Sequence, residues 1–267
     1  MRLSIQHRTT YSYDDAVTYG LQQLRLVPKS RLGQSVLTWQ MQVSGGRKEQ
    51  EFDDQHMNRV WLVRFEDDAK EIVVQAQGEV ETADTAGVVG QHAGFTPLWY
   101  FKRPTELTTP GARIRKLVDS MGTGDAADLQ RLHDLSANVL AAAPYKLGGT
   151  NAKTSAEDAL SLGCGVCQDH AQIFISAARA LGYPARYVSG YLMMEGQSNQ
   201  DASHAWAEAH VDGLGWVGFD VSNEMCPDER YVRVATGLDY REAAPIHGIR
   251  IGSGSDPRLT VDIQVQQ

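Results

Sequence analysis

The hydrophobic periodicity of the chain changes from two to about 3.6 residues near residue 100 and later returns to two. Residues 37–43 alternate apolar and polar side chains, which is typical of a half-buried strand. Residues 114–118 and 129–140 repeat apolar side chains at helical spacing, and residues 186–235 contain strand patterns again. Strands first, helices next and strands again predict an α+β fold, with a boundary near residue 100.

Two domains follow from this change of period. Residues 1–100 are predicted to form an antiparallel β domain, a sandwich or a barrel, because their strand patterns have one apolar face. Residues 101–267 are predicted to form the second domain. A last alternating segment, residues 259–265, predicts a strand that could join either part.

Composition and charge limit the classes of protein to which this chain can belong. Hydrophobic residues make up 42% of the chain, too many for a disordered protein. The formal net charge of −8 argues against nucleic-acid binding. No segment approaches the roughly 20 apolar residues that span a bilayer, and the first residues lack the apolar run of a signal peptide. We therefore expect a cytoplasmic protein with no membrane partner. The sequence does not specify an oligomeric state.

The segment around Cys167 carries a candidate nucleophile. Three cysteines are too few for a disulfide framework, and two of them, Cys164 and Cys167, flank the turn Gly165-Val166. A helix is predicted from about Cys167 to Leu181. The free N–H groups and the dipole of its first turn favour a thiolate at Cys167, and the N–H of Cys167 could donate to an oxyanion.

A histidine and an aspartate later in the chain could act together with this thiol. His204 opens a predicted strand, and Asp220 lies in the next one. If the two strands form a hairpin that turns at Asp212-Gly213, then His204 and Asp220 stand opposite each other on one face. Cys167, His204 and Asp220 would then be a nucleophile, a base and a group that orients the base.

These segments resemble the transglutaminase-like superfamily, whose fold is papain-like. The stretches that carry the resemblance are Gly165-Val166-Cys167-Gln168-Asp169-His170-Ala171, Arg179-Ala180-Leu181-Gly182-Tyr183-Pro184-Ala185-Arg186, Ser203-His204-Ala205-Trp206-Ala207-Glu208 and Trp216-Val217-Gly218-Phe219-Asp220. They lie within residues 150–225. The strand-rich start of the chain looks like the β domain that precedes this core in many bacterial members.

The resemblance implies a metal-free acyl transfer without a cofactor. Cys167 would be the nucleophile, His204 the base and Asp220 the orienting residue. One departure is visible after the aspartate, where the family usually has Pro-Thr-Asn and this chain has Val221-Ser222-Asn223. This difference concerns the geometry of the turn more than the chemistry.

The cysteine pair also fits two other kinds of site in part. Cys164, Cys167 and His170 could supply zinc ligands, but no second ligand pair of comparable spacing exists and Cys226 stands alone. A thioredoxin-like motif would follow a strand, whereas this pair follows a predicted helix. Cys164 is therefore interpreted as a packed thiol near the site.

Other polar residues near these motifs are interpreted as structural. Trp206 and Glu208 share the predicted face of His204 and would support the site, while His210 would be a packed strand histidine. Arg179 and Arg186 would pair with acids inside the core.

The sequence thus predicts a thiol enzyme that acts on an amide group of a peptide or protein. Hydrolysis, as a cysteine peptidase or amidase, is favoured over transamidation or deamidation of protein glutamine, because no shielded tunnel that excludes water can be identified. A non-catalytic binding module on the same fold remains the alternative from another class.

Overall fold

The chain folds into a mixed α+β structure, as its periodicity predicts. A computed structural model describes residues 1–122, 127–251 and 257–267. In chain order the described strands are β1 (Arg2–Ser12), β2 (Tyr19–Val27), β3 (Gln34–Ser44), β4 (Gly46–Asp53), β5 (Arg59–Phe65), β6 (Glu71–Thr82), β7 (Val88–Gly90), β8 (Ala185–Leu192), β9 (Asn199–Gln200), β10 (His204–Val211), β11 (Gly215–Phe219), β12 (Tyr231–Gly237), β13 (Ile246–Ile251) and β14 (Arg258–Gln266). The described helices are α1 (Ala112–Ser120), α2 (Asp128–Ala142), α3 (Ala156–Leu162), α4 (Cys167–Ala180), α5 (Tyr240–Ala243) and a 3₁₀ helix (Leu98–Lys102).

The first hundred residues form most of two antiparallel sheets. One sheet has the order β3-β6-β1-β14-β9 and the other β13-β2-β5-β4. Alternation along β1 buries Leu3 and Ile5 while Ser4 and Gln6 stay exposed. Buried residues from both sheets, among them Leu24, Val63 and Val74, share one hydrophobic cluster. The predicted antiparallel β assembly is confirmed.

Strand pairing crosses the predicted boundary near residue 100 in both directions. β14 pairs with β1, and β13 pairs with β2, so the end of the chain completes both N-terminal sheets. β7 instead pairs with β11 in the third sheet. The division into residues 1–100 and 101–267 stays a prediction about folding units.

The third sheet, of order β12-β8-β10-β11-β7, carries the helices on one face. Ala205, Ala207 and Ala209 of β10 point toward α4 and share a core cluster with Phe174 of that helix. Alanine adds little bulk, which lets a helix approach a sheet closely. All eight residues of β10 are buried, so the strand has packed layers on both sides.

The β10–β11 hairpin forms as predicted, but its register differs by two residues. Ala207 pairs with Phe219, so the position opposite Asp220 is that of Trp206 rather than His204. The connection is a three-residue turn, Asp212–Leu214. Gly215, with φ +85°, follows at a close approach to β7, where a Cβ would lie 2.2 Å from the carbonyl oxygen of Gly90. His204 therefore reaches Asp220 diagonally, which still leaves them as neighbours.

A buried ion cluster holds the third sheet together on the face away from α4. Glu208 of β10 is fully buried and accepts hydrogen bonds from Nε of Arg186 on β8 and from Nε of Arg233 on β12, both at 2.6 Å. Burial alone would raise the pKa of Glu208, but the two guanidinium charges outweigh it and lower this pKa to about 2. One carboxylate thus links three strands.

Replacing Glu208 is expected to destabilise the fold strongly. Glu208→Gln leaves two buried guanidinium groups with no anion, which costs about 3 kcal/mol or more of unfolding free energy. Because the folded pKa lies below the ordinary value of 4.5, the carboxylate's contribution is fully present above pH 4.5 and lost as the pH falls toward 2. Urea unfolding at about pH 7 and at lower pH measures both effects.

Glu79→Gln is the matched control, because Glu79 also pairs with an arginine, Arg2, but at the surface. It should change stability far less. If the two variants lost equal free energy of unfolding at neutral pH, the role assigned to the buried cluster would be contradicted.

Candidate active site

Cys167 lies at the first position of α4, as the sequence predicts. Helix α3 ends at Gly163, which has a left-handed φ of +66°, and the chain then passes through Val166, the N-cap of α4, in extended conformation. The thiol is partly exposed. Because the first N–H groups of a helix have no partner within it, the N–H of Cys167 is available to a bound group.

Asp169 fixes this turn from within the helix. Its Oδ2 accepts hydrogen bonds from the backbone N–H of Val166 at 2.8 Å and from the hydroxyl of Thr150 at 2.6 Å. Gly165 leaves the necessary space, since a Cβ there would lie 2.7 Å from the Cβ of Asp169. The position of Cys167 is therefore set by a buried carboxylate two residues later.

His204 opens β10 and is almost completely buried. Its Nε2 lies 2.6 Å from Oδ2 of Asp220, and its ring stacks on Trp206 and contacts Tyr231. Cys167 lies beside this ring, close enough to act on its protonation. Since Nε2 is occupied by Asp220, the nitrogen that faces Cys167 is Nδ1.

Charges around His204 favour its protonated form. Burial lowers the pKa of His204, but the hydrogen bond and charge of Asp220, and then the bond and charge of Cys167, outweigh this and raise the pKa to about 10. These charges therefore favour an imidazolium beside Cys167 at neutral pH.

Asp220 is held by three donors that converge on one oxygen. Its Oδ2 accepts from Nε2 of His204, from Nδ2 of Asn223 at 2.7 Å and from the hydroxyl of Tyr231 at 2.8 Å. Burial raises the pKa of Asp220, but these bonds outweigh burial and lower it. The carboxylate stays ionised although it is buried.

The structure brings Cys167, His204 and Asp220 together, and their catalytic roles stay a prediction. Asn223 and Tyr231 were missed by the reasoning from sequence. The spacing Asp-x-x-Asn could have indicated Asn223 as a residue that caps the turn. Tyr231 lies in another strand, and no spacing rule points to its bond with Asp220.

The turn after Asp220 keeps a defined geometry despite its departure from the family pattern. The hydroxyl of Ser222 lies 2.8 Å from Nδ1 of His170, and Nε2 of His170 lies 2.6 Å from the carbonyl oxygen of Ala143. Burial lowers the pKa of His170, which favours a neutral ring. His170 therefore ties the turn to α4 and to the end of α2.

The remaining predicted residues have structural contacts. Trp206 stacks on His204, and His210 packs against Trp216. Arg186 pairs with buried Glu208 as predicted. The prediction for Arg179 is wrong. It donates to the carbonyl oxygens of Phe101, Ala185 and Leu238 and forms no ion pair with a described residue, although the charges of Asp239 and Glu242 act on it.

Cys164 lies beside Gly149, where a Cβ would be 3.0 Å from its Sγ. Within residues 1–122, 127–251 and 257–267, no group of three or more His, Cys, Asp or Glu side chains is arranged to hold a metal ion. Over the same ranges, no helix is long and apolar enough to cross a membrane.

Two family models match the chain along most of its length. Residues 115–221 match the transglutaminase-like superfamily core, and residues 3–81 match the bacterial transglutaminase-like N-terminal region. The chain belongs to the transglutaminase-like superfamily. The first match includes all three candidate residues, and the second covers β1 to β6 except for the first residue of β1 and the last residue of β6.

Relatives in mycobacteria match over almost the whole chain. An uncharacterized protein of Mycobacterium leprae is 29% identical over 279 residues, which cover 98% of both chains. An uncharacterized protein of Mycobacterium tuberculosis is 25% identical over 292 residues, covering 99% of this chain and 92% of its own. The crystal structure of a candidate cysteine protease from Cytophaga hutchinsonii has a TM-score of 0.78 at 21% identity and covers 100% of this chain and 91% of its own, which shows a shared fold.

Removing the charge of Asp220 is expected to lower the pKa of His204. In wild-type protein the imidazole should titrate at about pH 10, and in Asp220→Asn at least about one pH unit lower, because a buried anion within hydrogen-bonding distance is lost. NMR titration of the ring resonances measures both midpoints. Asp212→Asn, which removes an exposed carboxylate from the hairpin turn, is the control and should leave the midpoint unchanged. A midpoint unaffected by Asp220→Asn would contradict the arrangement.

Proposed function

We propose that this protein is a thiol enzyme that transfers acyl groups from amide bonds of a peptide or protein, with hydrolysis as the main outcome. The observation that carries the proposal is the position of His204, which is hydrogen-bonded to Asp220 and lies beside Cys167. A nucleophile, a base and a residue that orients the base are the elements of a catalytic triad. No cofactor is needed for this chemistry.

Acylation follows from this geometry. The Cys167 thiolate attacks the amide carbon, a C–S bond forms, and the carbonyl electron pair moves to oxygen. The N–H of Cys167 donates to this oxyanion, and the positive end of α4 stabilises it. When the C–N bond breaks, Nδ1 of His204 gives its proton to the leaving nitrogen. The product is a thioester on Cys167.

Deacylation uses the same residues in the reverse roles. Neutral His204 takes a proton from water through Nδ1 while the water oxygen attacks the thioester carbon. The C–S bond then breaks, the acid leaves, and the thiolate–imidazolium pair is restored. Asp220 keeps Nε2 protonated throughout, so Nδ1 alone exchanges protons.

The surroundings of Cys167 favour water as the acceptor. Tyr145 is 51% exposed, and burial followed by the charges of Cys167 and Asp220 raises its pKa, so it lies near both residues. Leu147, two residues later, is 76% exposed. Solvent can therefore reach the thioester from this side. Transamidation or deamidation of glutamine remains the alternative, since the triad would be the same.

The rival interpretation is a binding module that keeps the fold without catalysis. The combination of a thiol with an imidazole that a carboxylate orients argues against it, because binding alone does not require a nucleophile beside a base. A cytoplasmic location and the lack of nucleic-acid partners stay predictions.

Selective alkylation tests the nucleophile. Iodoacetamide at about pH 6 should modify Cys167 faster than Cys164 and Cys226, because only Cys167 has an imidazolium beside it. The His204→Asn substitution should slow the alkylation of Cys167 by tenfold or more and leave the alkylation rates of Cys164 and Cys226 unchanged. Mass spectrometry of peptides at timed intervals gives all three rates. Equal rates for the three thiols in wild type would contradict the assignment.

A peptide library that contains glutamine tests the reaction, with and without an added amine. Backbone cleavage, deamidation and amine incorporation give distinct mass changes. We expect cleavage or deamidation, reduced at least about a thousandfold in Cys167→Ala and unchanged in Cys226→Ala. Amine incorporation as the main product would replace hydrolysis by transamidation, and equal turnover by wild type and Cys167→Ala would overturn both.

A further inference from the structure

A second cleft lies behind the triad, on the face of the third sheet that points away from α4. Its cavity volume is about 60 Å³, and it lies between the turn Arg31–Gln34, the segment before β7 and the start of β12. Trp206 and Tyr231 line it, and the same two side chains contact His204. Neither Cys167 nor His204 is among its described lining residues, so the cleft is separate from the thiol.

The charges around this cleft do not balance. Three guanidinium groups, those of Arg31, Arg186 and Arg233, act on each other and on one carboxylate, Glu208. Arg186 and Arg233 already use both oxygens of Glu208. The other acid at the cleft, Asp228, is held by Arg230 through several hydrogen bonds. Arg31 is therefore left without a carboxylate of its own.

Arg31 carries a buried donor that lacks an acceptor. Its Nε is shielded from solvent and makes no hydrogen bond with any residue that the structure describes. Burial, and then the charge of Arg233, lowers the pKa of Arg31 to about 8. Guanidinium groups remain protonated in proteins, so an unpaired one in such a place is stabilised by an anion.

The backbone holds Arg31 in this position. Arg31 and Gln34 exchange two backbone hydrogen bonds of 2.7 and 3.1 Å around Gly33, whose φ is +72°. The side chain of Gln34 then bonds to both the N–H and the carbonyl oxygen of Arg233, each at 2.9 Å. The turn is thus attached to β12, and the guanidinium groups of Arg31 and Arg233 face one cleft.

We propose that this cleft binds a small oxyanion, a carboxylate or a phosphate group, between Arg31 and Arg233. Arginine pairs with both groups through two parallel N–H···O bonds. The bound anion would offset the charge of Arg31, whose buried Nε has no acceptor among the described residues. Leu32, Val88 and Pro227 at the cleft supply apolar contacts for the part of the ligand that carries the anion. The site is independent of the acyl-transfer proposal.

NMR titrations with sodium phosphate and with sodium acetate test the site, and sodium chloride at equal ionic strength is the control for salt. The indole N–H of Trp206 and the Nε–H of Arg31 should shift saturably with at least one of the two oxyanions and not with chloride. Saturation by phosphate alone identifies a phosphorylated ligand, and saturation by acetate alone identifies a carboxylate.

Two variants separate specific binding from surface charge. Arg31→Gln should weaken the affinity at least tenfold, read from Trp206, and should not lower the unfolding temperature without ligand, because it removes a charge that has no partner. Arg115→Gln removes the same charge from the exposed face of α1, and this variant should bind the oxyanion like wild type. Binding equal in wild type and Arg31→Gln, or no saturation with either oxyanion, would overturn the proposal.

Discussion

The site depends on the alternation of side chains along β10. One face presents Ala205, Ala207 and Ala209 to α4, and these small residues let the helix lie close to the sheet. The opposite face presents His204, Trp206 and Glu208 in a buried row. Because the strand is buried on both sides, a shift of one residue would move the alanines and the polar row to the wrong faces. His204 is the first residue of this strand, and from that end it reaches both Asp220 and Cys167 at the start of α4.

On the face of β10 that points away from α4, two buried carboxylates have partners and one nearby guanidinium group does not. Asp220 is surrounded by three donors, and Glu208 by two guanidinium groups, so both carboxylates stay ionised. Arg31 has no such partner among the described residues. The polar face of one strand therefore serves the triad at one end, the stability of the sheet in the middle and, as we propose, an oxyanion beside it. Trp206 separates the first of these from the others.

Periodicity predicted much of the fold, and spacing predicted which candidate residues come together. Apolar patterns placed β3, α2 and α4 within a few residues of their observed bounds. β4 had no such signal, because it is almost entirely polar and exposed. The pattern of β14 indicated a strand but not its partner, since pairing over more than two hundred residues leaves no local trace. The hairpin register was wrong because the turn has three residues, and the bond from Tyr231 to Asp220 depends on tertiary packing alone.

The central claim is that Cys167 carries the acyl group during turnover, and direct observation of that thioester tests it. p-Nitrophenyl acetate acylates a thiolate faster than water releases the acetyl group, so an acid quench within the first turnover should trap the intermediate. The account predicts a burst of about one equivalent of p-nitrophenol and one acetyl group on the peptide that contains Cys167, with neither in Cys167→Ala. Acetylation spread evenly over Cys164, Cys167 and Cys226, or a burst that persists in Cys167→Ala, would contradict it.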